Sequence, residues 1–259
     1  MPATTIDDIL LQLEVIIADS VKTNDRLGYF AALYYKVTAS VKEGIAKGRF
    51  ENGPRIEQLD VIFASRYLDA LKVWKARQPP TSSWRVAFES ARNSSLLVLQ
   101  QLLLGINAHI NLDLGIAAVE AAGGHLEDIH NDFDSINTII SSLTYQVLND
   151  IDRVSPLLSL LGLHATNQTS ILIQFSIDNA RDGAWCFAED LAAKKGDDYN
   201  TCIAQRDRTV SQLANGLVKT SGFMRFTVWL IHLFEWKSAS KIIRVLHEAV
   251  KKKIIIGDK

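Results

Sequence analysis

His109 and Asp113 stand four residues apart in the stretch 96–122, LLVLQQLLLGINAHINLDLGIAAVEAA. On an α-helix that spacing puts both side chains on one face. A neutral imidazole and a carboxylate so placed can chelate one divalent ion from a single turn. The same pair can instead be a hydrogen bond that fixes a histidine tautomer. Gly105, one turn earlier, removes a side chain beside the ring and leaves room there. The spacing recurs at His130 and Asp134 in the acidic segment HLEDIHNDFD, with His125 nearby, and Gly123-Gly124 would let that segment fold back on the first pair. Asp60 joins the set because it falls on a core stripe with Ile56, Phe63, Ala64, Tyr67 and Leu71. A carboxylate there must be paired, hydrogen-bonded or metal-bound. The candidate metal ligands are therefore His109, Asp113, Asp60, His130 and Asp134. Mixed imidazole and carboxylate ligands suit zinc, manganese or iron better than copper. The plainer alternatives are an Asp60 paired with a buried Arg, and a solvated acidic loop in which Asp132 or Asp134 caps the next helix.

Gln100, Asn107 and Asn111 form a second polar stripe on the opposite side of the same stretch. Amides in that setting anchor neighbouring helices or loops by hydrogen bonds. Arg181, with Asp178, Asp182, Trp185, Gln174 and Glu189, marks a polar face that either borders a pocket or is simply solvated. As a catalytic candidate, Arg181 would bind a phosphate or carboxylate group. His164, His232 and His247 stand alone.

These residues are carried by helices. Apolar residues recur at three- and four-residue spacing through nearly the whole chain, and no segment alternates with period two over a useful length. The reading is an all-α, single-domain bundle over residues 1–259. It has about nine or ten helices packed around a buried central helix at about 94–122. A stretch that is apolar almost all round belongs in the middle of a domain. Stops are expected at Gly48, at Asn52-Gly53-Pro54, at Pro79-Pro80, at Gly123-Gly124 and at Gly196. Ser82 or Ser83 is expected to cap the short helix SWRVAFESAR. The aromatic FMRFTVWLIHLFEW and the basic KIIRVLHEAVKKK close the chain. The latter is expected to dock on its own domain rather than on a membrane surface.

A net charge of −1 argues against a nucleic-acid binder held by phosphate neutralisation. The stretch 96–122 is long enough to span a bilayer, but His109 and Asp113 would then sit near its middle, so no integral membrane segment is expected. The N-terminus has acids before its apolar run, unlike a signal peptide. Cys186 and Cys202 form no ligand pattern, and a reduced, cytoplasmic setting follows. Walker loops, dinucleotide glycine fingerprints and nucleophile elbows are absent.

RIEQLDVIFASRYLDALKVWKA, with SSWRVAF after it, and LLLGINAHINLDLGIA resemble an uncharacterised bacterial family known only as a domain of unknown function, over most of residues 50–150. More distantly, His109/Asp113, His130/Asp134 and Asp60 follow the order of ligands in the all-helical zinc-dependent phospholipase C and single-strand nuclease superfamily. That likeness implies one or two metals, since Asp113 is followed by Leu-Gly-Ile and not by the superfamily's continuation. Asn131-Asp132-Phe133-Asp134-Ser135 resembles part of the magnesium motif of class I terpene synthases. The leading expectation is a metal-dependent hydrolase acting on a small phosphoester substrate, in which metal lowers the pKa of a bound water. The first alternative is a non-catalytic helical binding or scaffold protein with a buried polar network. The second is an isoprenoid enzyme with magnesium on Asp132.

Overall fold

The computed structural model describes residues 2–161, 167–219 and 222–256. Among the described residues there are ten helices and no strand. They are α1 (Ile6–Thr23), α2 (Gly28–Ala46), α3 (Gly53–Lys75), α4 (Ser82–Ala91), α5 (Val98–Ala122), α6 (His130–Val154), α7 (Asn167–Ala192), α8 (Gly196–Val218), α9 (Gly222–Phe234) and α10 (Ala239–Ile256). The local signals are those of ordinary helices. Thr5 and Asp8 form a capping box at the start of α1. Asn52 caps α3, and Pro54 sits in that helix's first turn. Gly123, at φ +57°, closes α5 in the left-handed conformation.

Helix α5 runs through the centre and touches α2, α3, α4, α7 and α8. It is long and apolar enough to cross a membrane by length and composition, but 72% of its apolar window is buried inside the bundle. It begins at Val98, a turn later than its polar residues suggest, because Asn93 turns back to accept from the Ser95 N–H. The helix is not regular. Residues His109–Leu114 form a π-helical turn, with backbone bonds reaching five residues instead of four. Beyond that turn Gly115 lies against α7, where an added Cβ would come within 2.7 Å of the Ala184 carbonyl oxygen. Two closely packed helices leave no space for a side chain there.

Several helix starts are held from a distance by buried carboxylates. Asp207 of α8 accepts from the Ser82 and Ser83 N–H groups at 2.7 and 2.9 Å. It therefore caps α4 in place of the serine hydroxyls, and the N-cap position is Thr81. Glu235 accepts from the Val98 N–H at the start of α5 and from the Ser155 hydroxyl. Asp132 accepts from the Glu51 and Asn52 N–H groups at 2.6 and 3.0 Å, just ahead of α3. The acidic segment is itself ordered. A short 3-10 turn, Leu126–Ile129, leads directly into α6 at His130, so Asp132 lies inside the first turn and not at its cap. Helix α10 packs on α1 and α2 through Ala239, Ile242, Ile243 and Leu246.

Candidate functional site

Three helices converge on Asp113. Arg66 of α3 donates from Nε to Oδ1 at 3.0 Å. Trp84 of α4 donates from Nε1 to Oδ2 at 2.8 Å. His109, one turn back on α5, brings Nδ1 to 3.3 Å from the same Oδ2. His109 and Asp113 are both buried, at 3% and 1% exposure. Burial holds the imidazole below its usual pKa, against the opposing pull of Asp113. A neutral ring facing a carboxylate must carry its proton on Nδ1, because the carboxylate accepts. Nε2 is then a bare acceptor, and it has no hydrogen-bond partner.

Aromatic rings form the walls. Phe63 stacks on the imidazole at 3.6 Å with an interplanar angle of 7°. Tyr34 meets it edge-on at 4.5 Å and Phe30 at 5.6 Å, and Trp84 and Tyr67 complete the box. The gap above Gly105 is occupied by Phe30, whose Cδ2 would lie 2.4 Å from an added Cβ. Gly105 thus makes room for a ring, not for a ligand. Beside this box a cavity of about 20 Å³ is lined by residues including Tyr67, Trp84, Gln101 and Gly105. It has room for one water, and the Tyr67 hydroxyl and the Gln101 Oε1 both lack partners.

Asp60 is buried on α3, and its Oδ2 has no partner. Desolvation, with a smaller contribution from Glu57, pushes its carboxyl up to about 7. The Tyr34 hydroxyl faces Thr38 and feels the charges of both Asp60 and Asp113, and burial raises it well above the usual phenol range. His130 and Asp134 lie elsewhere. They face each other at 3.7 Å with side chains 44% and 56% exposed, and His130 stacks on Trp185. Among the described residues, no group of three or more His, Cys, Asp or Glu side chains is placed to hold a metal ion.

Arg181 is turned inward. It is 2% exposed, donates to the Phe133 carbonyl oxygen and lies 4.4 Å over the Phe133 ring. Trp185 is buried beside it. The side chain of Gln174 and the whole of His164 lie outside the described residues. His232 lies beside Lys237 and Glu235, and His247 pairs with Glu14 at 3.3 Å.

The opposite stripe of α5 reaches α8. Gln100 donates to the Leu217 carbonyl at 2.9 Å and Asn107 to the Val210 carbonyl at 3.0 Å. Asn111 donates to the Asn107 side chain, and Arg206 of α8 donates to the Asn111 carbonyl at 2.7 Å. The residues that sequence reasoning did not assign to the site are Arg66, Trp84, Phe30 and Tyr34. Trp84 carries a readable signal, since a lone indole N–H on a short amphipathic helix needs an acceptor when buried.

The arrangement defines an all-helical domain built around a hydrogen-bonded His–Asp–Arg–Trp network that is buried except at Arg66, which is a quarter exposed and also lies 3.8 Å from Glu120. The chain belongs to DUF5995, a family of unknown function, which matches residues 6–220. No curated protein and no solved structure matches it.

Proposed function

We propose that the protein is a non-catalytic helical binding or scaffold module, in which the His109–Asp113 network holds α3, α4 and α5 in register. One observation carries this reading: both oxygens of Asp113 are already engaged by Arg66, Trp84 and His109. A carboxylate accepting from three side chains, one of them a guanidinium, has little left to offer a metal. The gap beside the enclosing rings holds about 20 Å³, the size of one water. Satisfied buried polar networks specify a unique packing, which suits this role.

A metal-dependent hydrolase acting on a phosphoester is the second reading. It is favoured by the unpartnered Nε2 of His109 and Oδ2 of Asp60, two metal-competent atoms in one core region. The isoprenoid reading has no such support, since both Asp132 oxygens accept backbone N–H groups. Elemental analysis of the purified protein separates the first two. The module reading expects no stoichiometric zinc, manganese or iron, and an Asp113→Asn variant that melts lower without losing any bound species. Stoichiometric metal that disappears in His109→Ala would overturn it.

A further inference from the structure

The geometry points to a docking face for an anionic phospholipid bilayer on α9, together with Lys237 and Lys241 just after it. It involves none of the buried network and goes beyond the reading above. Among the described residues, nine large apolar side chains are strongly exposed, and five of them are Phe226, Trp229, Leu233, Phe234 and Trp236. Phe226, Trp229 and Leu233 recur at three- and four-residue spacing, so they share one helix face. Thr227 and Ile231 point the other way and are buried. Leu160, also exposed, belongs to the turn Leu158–Leu161 on which α9 packs. The family match ends at residue 220, so this face lies outside the matched span.

An exposed apolar patch of this kind needs a partner, and its charge says which. From Lys219 to His247 the sequence has five Lys or Arg and one acid, Glu235, in a chain whose net charge is −1. Glu235 is buried, while Arg225, Lys237, Lys241 and Arg244 are exposed. Trp236, Lys237, Ser238 and Lys241 line a hollow of about 410 Å³ at the end of the aromatic face. Lys237 also donates to the His232 carbonyl oxygen. Indoles that sit at headgroup depth, beside lysines that reach the phosphates, are the chemistry of an interfacial helix. A second copy of the chain fits less well. A two-fold interface on this patch would set its own lysines and arginines against one another.

Co-sedimentation of the full chain with vesicles tests this. One set would be phosphatidylcholine alone and the other would contain one-third phosphatidylglycerol. The protein is expected to pellet with the anionic vesicles, and more weakly with the neutral ones. Lys237→Gln with Lys241→Gln should weaken anionic binding roughly 30-fold, the loss expected for two charges near such a surface. Both residues are exposed, and glutamine keeps a donor for the His232 carbonyl, so the variant should match the parent in far-UV circular dichroism. Trp229→Ser should weaken binding to both vesicle types by about tenfold or more. Three results would overturn the proposal: no pelleting with either vesicle, lysine and tryptophan variants that bind like the parent, or a concentration-dependent dimer that Trp229→Ser disperses.

Discussion

At the centre of the bundle His109 and Asp113 share a buried helix face, and at the start of α6 His130 and Asp134 repeat the same two residue types at the same spacing. The inner pair lies at 3.3 Å, and its carboxylate also accepts from Arg66 and Trp84. The outer pair lies at 3.7 Å in contact with solvent. Spacing fixes only that two side chains share a face. What the pair is worth depends on the medium and on the other donors. An exposed ion pair contributes about 0–1 kcal/mol, because water competes for both partners. A buried carboxylate that satisfies three donors cannot be removed without leaving them unpaired.

The sharpest way to break this comparison is to truncate both aspartates. Asp113→Ala should lower stability by about 2–4 kcal/mol, since it leaves the buried Trp84 indole N–H and His109 imidazole N–H without an acceptor, while Arg66, a quarter exposed, keeps water and Glu120 at 3.8 Å. Asp134→Ala should cost only about 0.5–1 kcal/mol, since the carboxylate is exposed and its charge reaches the buried Arg181 partly screened. Urea unfolding followed by far-UV circular dichroism measures both. Similar losses at the two sites would mean that burial does not separate them.

That contrast also shows which parts were legible in the sequence. The all-α class and the central helix were readable because apolar periodicity is a local property, and Gly123 and Asn52-Gly53-Pro54 mark their own boundaries. The two stripes of α5 were readable for the same reason. Partners were not. Arg66 and Asp113 are 47 residues apart, and Asp207 caps α4 from 125 residues away. No local pattern encodes such a pairing. The gap at Gly105 was visible, but not that Phe30 fills it. Grouping His130 and Asp134 with His109 required the 123–134 segment to fold back, whereas Leu126–Ile129 forms a 3-10 turn and α6 carries the pair to the surface. The π-turn at His109–Leu114 has no sequence signature that composition would reveal.

Asp60 sharpens the comparison from another side, because it is a core carboxylate without the donors that Asp113 has. Its folded value of about 7 exceeds its ordinary value of 3.8. Between those values the folded chain holds a proton that the unfolded chain has lost. Its stabilising contribution is therefore complete below about pH 4, declines as pH rises, and is gone above about pH 7, a change on the order of 4 kcal/mol. His109 acts in the opposite sense: its depressed folded value costs stability as pH falls below 6.5, where the unfolded chain takes up a proton. Glu57 is the charged neighbour that adds to the Asp60 shift, and Tyr34 stays a neutral phenol across this range. Comparing Asp60→Asn with the parent isolates the Asp60 contribution. The variant should gain on the parent from about pH 4 to about pH 7 in urea midpoints and level off above that. A difference that stays constant across that range would show that Asp60 is ionised in the folded chain throughout.

The smallest expected effect is one of sign. Gly→Ala inside a helix normally adds about 1 kcal/mol, because alanine restricts the unfolded backbone. At Gly105 the new Cβ would meet Phe30 Cδ2 at 2.4 Å. Phe30 cannot swing away freely, because Tyr34, Tyr67, Trp84 and His109 surround its ring. Overpacking of this kind costs about 1–3 kcal/mol, so Gly105→Ala should be net destabilising by about 1 kcal/mol. Gly216 of α8 is the matched control, with nothing within 4 Å of its added Cβ. Gly216→Ala should be neutral or stabilising by up to about 1 kcal/mol. Opposite shifts of the two melting temperatures would show that the box around His109 is closed by packing. A stabilising Gly105→Ala would show that Phe30 has somewhere to go, and that the space beside the imidazole can be opened.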